Sequence, residues 1–312
     1  MTKQILPPRL RLRLFAAAVF CLFAGELLAG QPQDAGDQFV RLRRGEDKQP
    51  IALETAIASF ASSSEHRPRV TIDLVGAIHI ADKQYYEQLN QRFKTYDAVL
   101  YELVAQEDVK PQPGSAPASA VSGIQVSMKA LLGLAFQLDH IDYQAKNMVH
   151  ADMNPEEFST SMKNRNESFL GMFFRIMGRG FADQAKDPLA KSDLRVLAAL
   201  FAADRAYQIK LVMAEQFADV EGDLDLFAGP EGSTIVTERN KKALEILTRE
   251  LGKGRRQLAI FYGAAHLPDL QARLEKDFAM KRVKTDWIPA WSLVRASATP
   301  AKDKLKETLP GK

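Results

Sequence analysis

Cysteine is almost absent from this chain of 312 residues, which has one, Cys21. That residue sits in a segment that reads as an export leader, so the mature chain is expected to have no thiol. Disulfides, cysteine nucleophiles and thiolate metal sites are thereby excluded together. Charge of one sign is scarce too. Lys and Arg number 42 against 39 Asp and Glu, a formal charge of +3, and Lys3, Arg9, Arg11 and Arg13 against Glu26 supply that excess. The balanced remainder has no basic stripe of the kind that neutralises phosphates, which argues against nucleic acid as a partner. Also missing are a dinucleotide fingerprint, a phosphate-binding glycine loop, a nucleophile elbow and a repeat of solenoid period.

Long apolar runs are lacking as well. The uncharged stretch from Leu14 to Gly25 spans about 12 residues, well short of the roughly 20 that cross a bilayer. Four cations precede it and the small residues Ala29 and Gly30 follow, a pattern that predicts a signal peptide over 1–30. The chain is therefore expected to be exported, to the periplasm or outside the cell, with no stable transmembrane span once the leader is removed. An uncleaved leader acting as a membrane anchor is the alternative.

What is present suits one globular domain, expected over 37–295 and followed by a disordered tail over 296–312 that alternates Lys and Pro. After a polar lead-in to about Arg69, Val70–Val75 alternates branched apolar residues as a strand does and stops at Gly76. Asp82 is placed to cap a helix carrying Tyr86, Leu89 and Phe93 on one face, and Ala98–Glu102 reads as a second strand. Strand, helix and strand in about 35 residues predict a parallel pair with a right-handed crossover. Pro111–Pro117 reads as a flexible loop. A helical insertion is expected over about 122–228, where Asn154-Pro155-Glu156-Glu157 is a strong helix start. Phe169, Met172, Phe173, Phe174, Ile176 and Met177 within it are expected to pack in a core or line a groove. A helix from about Thr234 to Leu251 and a strand Leu258–Tyr262 follow. The predicted fold is α/β: a central, mostly parallel sheet with flanking helices and the helical insertion.

Two segments share one plan. Val75-Gly76-Ala77-Ile78-His79 and Tyr262-Gly263-Ala264-Ala265-His266 each run from strand to Gly, two small or apolar residues, and His before a helix. In a parallel sheet the loops leaving the carboxyl ends of the strands surround the ligand crevice, so both imidazoles are expected at one edge. Gly76 and Gly263 are expected to let the chain turn and to keep bulk away. Glu102, at the end of the partner strand, completes a set of two imidazoles and a carboxylate, which suits Zn, Mn, Co or Fe with open positions. Helical periodicity turns Arg239 and Asn240 inward and Glu238 outward into solvent, unless the helix begins later, in which case Glu238 is a candidate for outer support of the site. An inward Arg is either half of a structural ion pair or a clamp for a carboxylate or developing oxyanion. Tyr85 and Tyr262 flank the expected site, as packing residues or as donors to an intermediate. His150, near Asp152, and His140, near Asp142, are candidates for outer support of the site; His66 is expected to be exposed.

Taken together, Gly76-Ala77-Ile78-His79, Glu102, Glu238-Arg239-Asn240 and Gly263-Ala264-Ala265-His266-Leu267 resemble the TraB/PrgY/GumN family, relatives of the Tiki metalloproteases and of the erythromycin-esterase and ChaN haem-binding group. The resemblance runs from about Val70 to Trp287. It implies an α/β fold with a site built from both histidines, the strand glutamate and the helix arginine, which in the Tiki branch serves a divalent-metal peptidase. The first functional expectation is thus an exported metal-dependent hydrolase acting on a peptide or small-molecule substrate. His79, Glu102 and His266 would hold an ion (Mn, Co or Zn), Arg239 would stabilise the oxyanion, and Asn240 would orient the site. Glu102 is the candidate base if it is not a ligand. The second is a non-catalytic binder of haem, metal or peptide at the cell envelope, with His79, Tyr85 or Tyr262 as axial ligands.

Overall fold

The computed structural model describes residues 39–62, 70–113, 132–168, 198–199, 201–220 and 232–295. The expected leader over 1–30, His66, the Phe169–Met177 cluster, most of the Pro111–Pro117 loop and the tail over 296–312 lie outside the described residues.

In chain order the elements are β1 (Val40–Arg44), β2 (Pro50–Ser62), β3 (Thr71–Ala77), β4 (Ile80–Ala81), α1 (Lys83–Phe93), β5 (Ala98–Tyr101), β6 (Ala135–Phe136), α2 (Gln137–His140), β7 (Met148–His150), α3 (Pro155–Asn164) and α4 (Arg205–Val220). A π turn, Thr234–Glu238, then leads into α5 (Arg239–Gly252), β8 (Gln257–Gly263), a 3-10 turn over Ala264–His266, α6 (Leu267–Asp277) and β9 (Met280–Ser292).

The fold is α/β. Its sheet runs β1-β2-β3-β8-β5-β7, with β9 on β2. β3, β8, β5 and β7 are parallel to one another, whereas β1, β3 and β9 all pair antiparallel with β2. β5 and the interior of β8 are buried throughout, as parallel strands covered on both faces must be. Alternate residues of β3 go to opposite layers: Val75 and Ala77 meet the tyrosines of α1, and Ile72 and Leu74 meet Leu247, Leu267, Leu270 and Leu274 from α5 and α6. The helix face read from periodicity on α1 is the buried one, with Tyr85, Tyr86, Leu89 and Phe93 inward.

Four expectations change. β3 and β5 are parallel as the strand-helix-strand pattern predicts, yet they are not neighbours: β8, from nearly two hundred residues later, lies between them. The polar lead-in before Arg69 contains β1 and the long strand β2, whose sequence PIALETAIASFAS is alanine-rich and buried on both faces through its middle. Alanine is a poor strand former and two-sided burial removes the polar-apolar alternation, so both local signals are silent. β7 comes from the segment expected to be helical, and it extends the central sheet beyond β5. The helix expected from Thr234 starts as a π turn, and regular α geometry begins at Arg239. The cap at Asn154 forms as the sequence predicts, with Asn154 and Glu157 in a reciprocal capping box. No described helix is long and apolar enough to cross a membrane.

Candidate functional site

The carboxyl ends of β3, β8 and β5 lie side by side, since Ala77 pairs with Gly263 and Tyr101 with Phe261. The chain segments that leave them carry His79, His266 and Glu102. The central one is the most closely built. Gly263 donates its backbone N–H to Glu102 Oε2 at 2.7 Å, and a Cβ at Gly263 would stand 3.3 Å from that same oxygen. A Cβ there would push the carboxylate back by a few tenths of an ångström, so glycine allows the close approach; its φ of −48° is open to any residue. At Gly76 a Cβ would instead meet Leu267 Cδ1 at 3.3 Å and the Ala56 carbonyl at 3.4 Å, so glycine there serves packing between β2 and α6.

Arg239 joins the carboxylates. From the first turn of α5 its Nε donates to Asp152 Oδ1 at 2.9 Å and its Nη2 reaches both Asp152 Oδ2 and, at 2.7 Å, Glu102 Oε1. Asp152 has no exposed side-chain surface, and Arg239 and Glu102 retain 10% and 13%. One cation therefore serves two buried anions, a bidentate pair on one edge of the guanidinium and a single bond at its corner. Nη1 makes no hydrogen bond among the described residues. Burial opposes ionisation of Glu102, but in the acid range where it titrates, a protonated His266 ring and then Arg239 outweigh burial and pull its pKa down to about 2. Burial likewise opposes charging of Arg239, but Asp152 and Glu102 raise its pKa above the usual arginine range.

His266 is buried, and its ring orientation follows from its partners. The Asn240 amide donates from Nδ2 to the His266 carbonyl at 3.0 Å and to Asp269 Oδ2 at 2.8 Å, two groups that only accept. Oδ1 must then be the atom 2.7 Å from His266 Nδ1, and Nδ1 must carry the hydrogen. Burial pulls the His266 pKa below its ordinary value. Neutral, with Nδ1 protonated, the ring turns an Nε2 lone pair toward Glu102 Oε1 at 3.6 Å.

His79 stands differently. It is exposed, and its Nδ1 lies 3.0 Å from Gln137 Oε1. It remains close enough to act electrostatically on both Glu102 and His266. Tyr85 and Tyr86 pin the loop that carries it, donating to the carbonyls of Gly76 at 2.6 Å and Ile78 at 2.8 Å.

Several expected participants are committed elsewhere. Tyr85 is fully buried on Gly76 and Thr55, and Tyr262 is fully buried with its hydroxyl on the Ala151 carbonyl, so neither is free to serve as an axial ligand or as a donor to an intermediate. Glu238 points away from the cluster and pairs with Lys241 at 2.9 Å and Arg165 at 3.5 Å. His150 Nε2 lies 2.6 Å from the Leu103 carbonyl and so donates to it, which ties down the chain just after Glu102. His140 stacks on Tyr86.

Two residues carry more in the structure than their sequence signals. The sequence places Asp152 only beside His150, but an inward Arg239 demands a buried anion and Asp152 is that anion. Gln137 had no signal: it lies in a four-residue helix inside the segment expected to be insertion. As a cation site, the donor chemistry fits. An ionised carboxylate oxygen and a neutral imidazole nitrogen 3.6 Å apart can share an ion with bonds of about 2 Å. Among the described residues, however, no three His, Asp or Glu side chains already stand gathered for an ion. Compared with models of protein families, with characterised proteins and with solved structures, the chain finds no match in any of the three.

Proposed function

We propose that the chain is a metal-dependent hydrolase, acting on a peptide or related amide bond, whose divalent ion is held by His79, Glu102 and His266. The observation that supports this is the pair of acceptors facing each other at the end of the sheet. The His266 Nε2 lone pair and the Glu102 carboxylate stand 3.6 Å apart. Two such groups repel across a low-dielectric gap, and a cation placed between them removes that repulsion. An ion bound there would lower the pKa of a coordinated water toward neutrality and so supply a hydroxide nucleophile.

The chain's own residues do the rest. Asn240 holds the His266 ring in the tautomer that keeps Nε2 available. Arg239 and the Gly263 N–H keep Glu102 ionised and orient both of its oxygens. Asp152 anchors Arg239 on one edge, which leaves Nη1 to stabilise negative charge that develops on a substrate carbonyl oxygen. His79, as the exposed member, must close on the other two for all three to share one ion.

The test is a titration of the chain with Mn, Co and Zn, coupled to cleavage of a peptide library. One ion per chain and metal-dependent cleavage are expected, with ion affinity falling by at least tenfold in both His266→Ala and Glu102→Gln. Wild-type affinity in either variant overturns the reading. So does stoichiometric ion binding with no cleavage of any peptide or amide probe.

A further inference from the structure

Gln137 is 4% exposed, and the hydrolase reading gives it no part. Its backbone N–H donates to the His79 carbonyl at 2.9 Å and its side-chain Oε1 sits 3.0 Å from His79 Nδ1, so one residue grips His79 at both ends. Its Nε2 donates to the hydroxyl of Tyr143, itself buried, at 2.8 Å. A carbonyl oxygen can only accept. With Oε1 on the ring, His79 Nδ1 carries the hydrogen and Nε2 keeps its lone pair.

Asn240 imposes the same arrangement on His266 from the other side of the sheet. The two imidazoles thus share one device: a buried side-chain amide whose oxygen takes Nδ1–H. A histidine that binds an ion through Nε2 needs such an acceptor, because it sets the tautomer and the ring plane in advance. We propose that Gln137 is the positioning residue of His79, selecting the tautomer in which Nε2 is offered to an ion. The proposal rests on the ion-site reading of His79, but the tautomer it predicts exists without any ion.

Long-range proton–nitrogen NMR of the imidazoles in the metal-free chain, at a pH where they are neutral, tests it. Wild type is expected to show Nδ1–H at both His79 and His266. Gln137→Glu, whose ionised side chain can only accept, retains Nδ1–H at His79, whereas Gln137→Leu leaves that ring in a mixture of tautomers. Unchanged His266 signals in both variants show that the fold survives. In a parallel zinc titration Gln137→Leu weakens binding by about 10- to 100-fold, the usual cost of losing a partner behind a metal ligand, and Gln137→Glu restores it. An Nε2–H tautomer of His79 in wild type overturns the proposal alone, as does wild-type tautomer and zinc affinity in Gln137→Leu. Nδ1–H at His79 with zinc affinity no better than that of His79→Ala overturns the ion-site reading instead.

Discussion

The two Gly-x-x-His segments share a sequence plan and differ in what surrounds them. The one after β8 is closed: Gly263 receives a carboxylate on its N–H, His266 is 5% exposed, and Asn240, Arg239 and Asp152 stand behind it. The one after β3 is open: its backbone is pinned by Tyr85 and Tyr86, but His79 faces solvent and, among the described residues, its side chain is held by Gln137 alone. A four-residue motif therefore specifies where a histidine leaves the sheet. It does not specify the environment the ring meets, which comes from elements far away in the chain. The closed segment is built for electrostatics and the open one for access.

The sharpest way to break that contrast is Arg239→Met. It strands Asp152 and Glu102 as buried anions with no cation between them. The expected loss is about 3–5 kcal/mol, the size seen when one member of a buried ion pair is removed, measured by denaturant unfolding of the metal-free chain. A loss below about 1 kcal/mol, the range of a surface pair, means that the closed segment is not held electrostatically. The pH dependence carries the same information. The Glu102 pKa is depressed in the folded state to about 2, so its contribution is complete above the ordinary carboxylate range and is lost as pH falls from about 4.5 through about 2. Without Arg239 that acid limb moves to higher pH.

The fold and the site were legible to different depths. β3, β5 and β8 are short apolar runs ending in Gly or Glu, and α5 shows its inward Asn240, Ala243, Leu244 and Leu247 through a 3.6-residue period, so the sheet edge and the helix above it follow from pattern alone. β2 was illegible because alanine on two buried faces carries neither alternation nor propensity. β9 hides behind Lys281, Lys284 and Pro289: the charges suit an exposed edge, and the proline sits where the register with β2 shifts, between Leu53 and Glu54. Asp152 and Gln137 were illegible for another reason. Gln137 opens a helix of four residues and Asp152 follows a strand of three, both too short for any period, and their roles arise only when α2 and β7 dock beside His79 and β5.

A finer test of the contrast compares the two glycines. Gly263→Ala drives a methyl to 3.3 Å from the Glu102 oxygen that the Gly263 N–H holds. The carboxylate must retreat from that N–H, and the expected cost is about 1–3 kcal/mol, as for overpacking in a core, together with weaker ion binding. Gly76→Ala presses on Leu267 Cδ1, the end of a flexible side chain, and on the Ala56 carbonyl. It costs stability on a similar scale but leaves ion affinity within about twofold, because nothing it touches is a donor to the site. Equal effects on ion binding would show that the two loops serve the site in the same way.

The smallest effect on stability is expected at one of the three proposed ion ligands. His79 is exposed, and among the described residues its ring makes one side-chain hydrogen bond, to Gln137. His79→Ala should shift stability by no more than about 1 kcal/mol, the net worth of one hydrogen bond at an accessible position. His266→Ala, which empties a buried space against Tyr262 and orphans Asn240 Oδ1, should cost about 2–4 kcal/mol in the same assay. Both variants are expected to lose the ion. Two histidines equal in function and unequal in stability are what an open arm and a closed arm require. If His79→Ala destabilised as much as His266→Ala, the open segment would be a structural strut, and an ion held jointly by the two rings would lose its main geometric support.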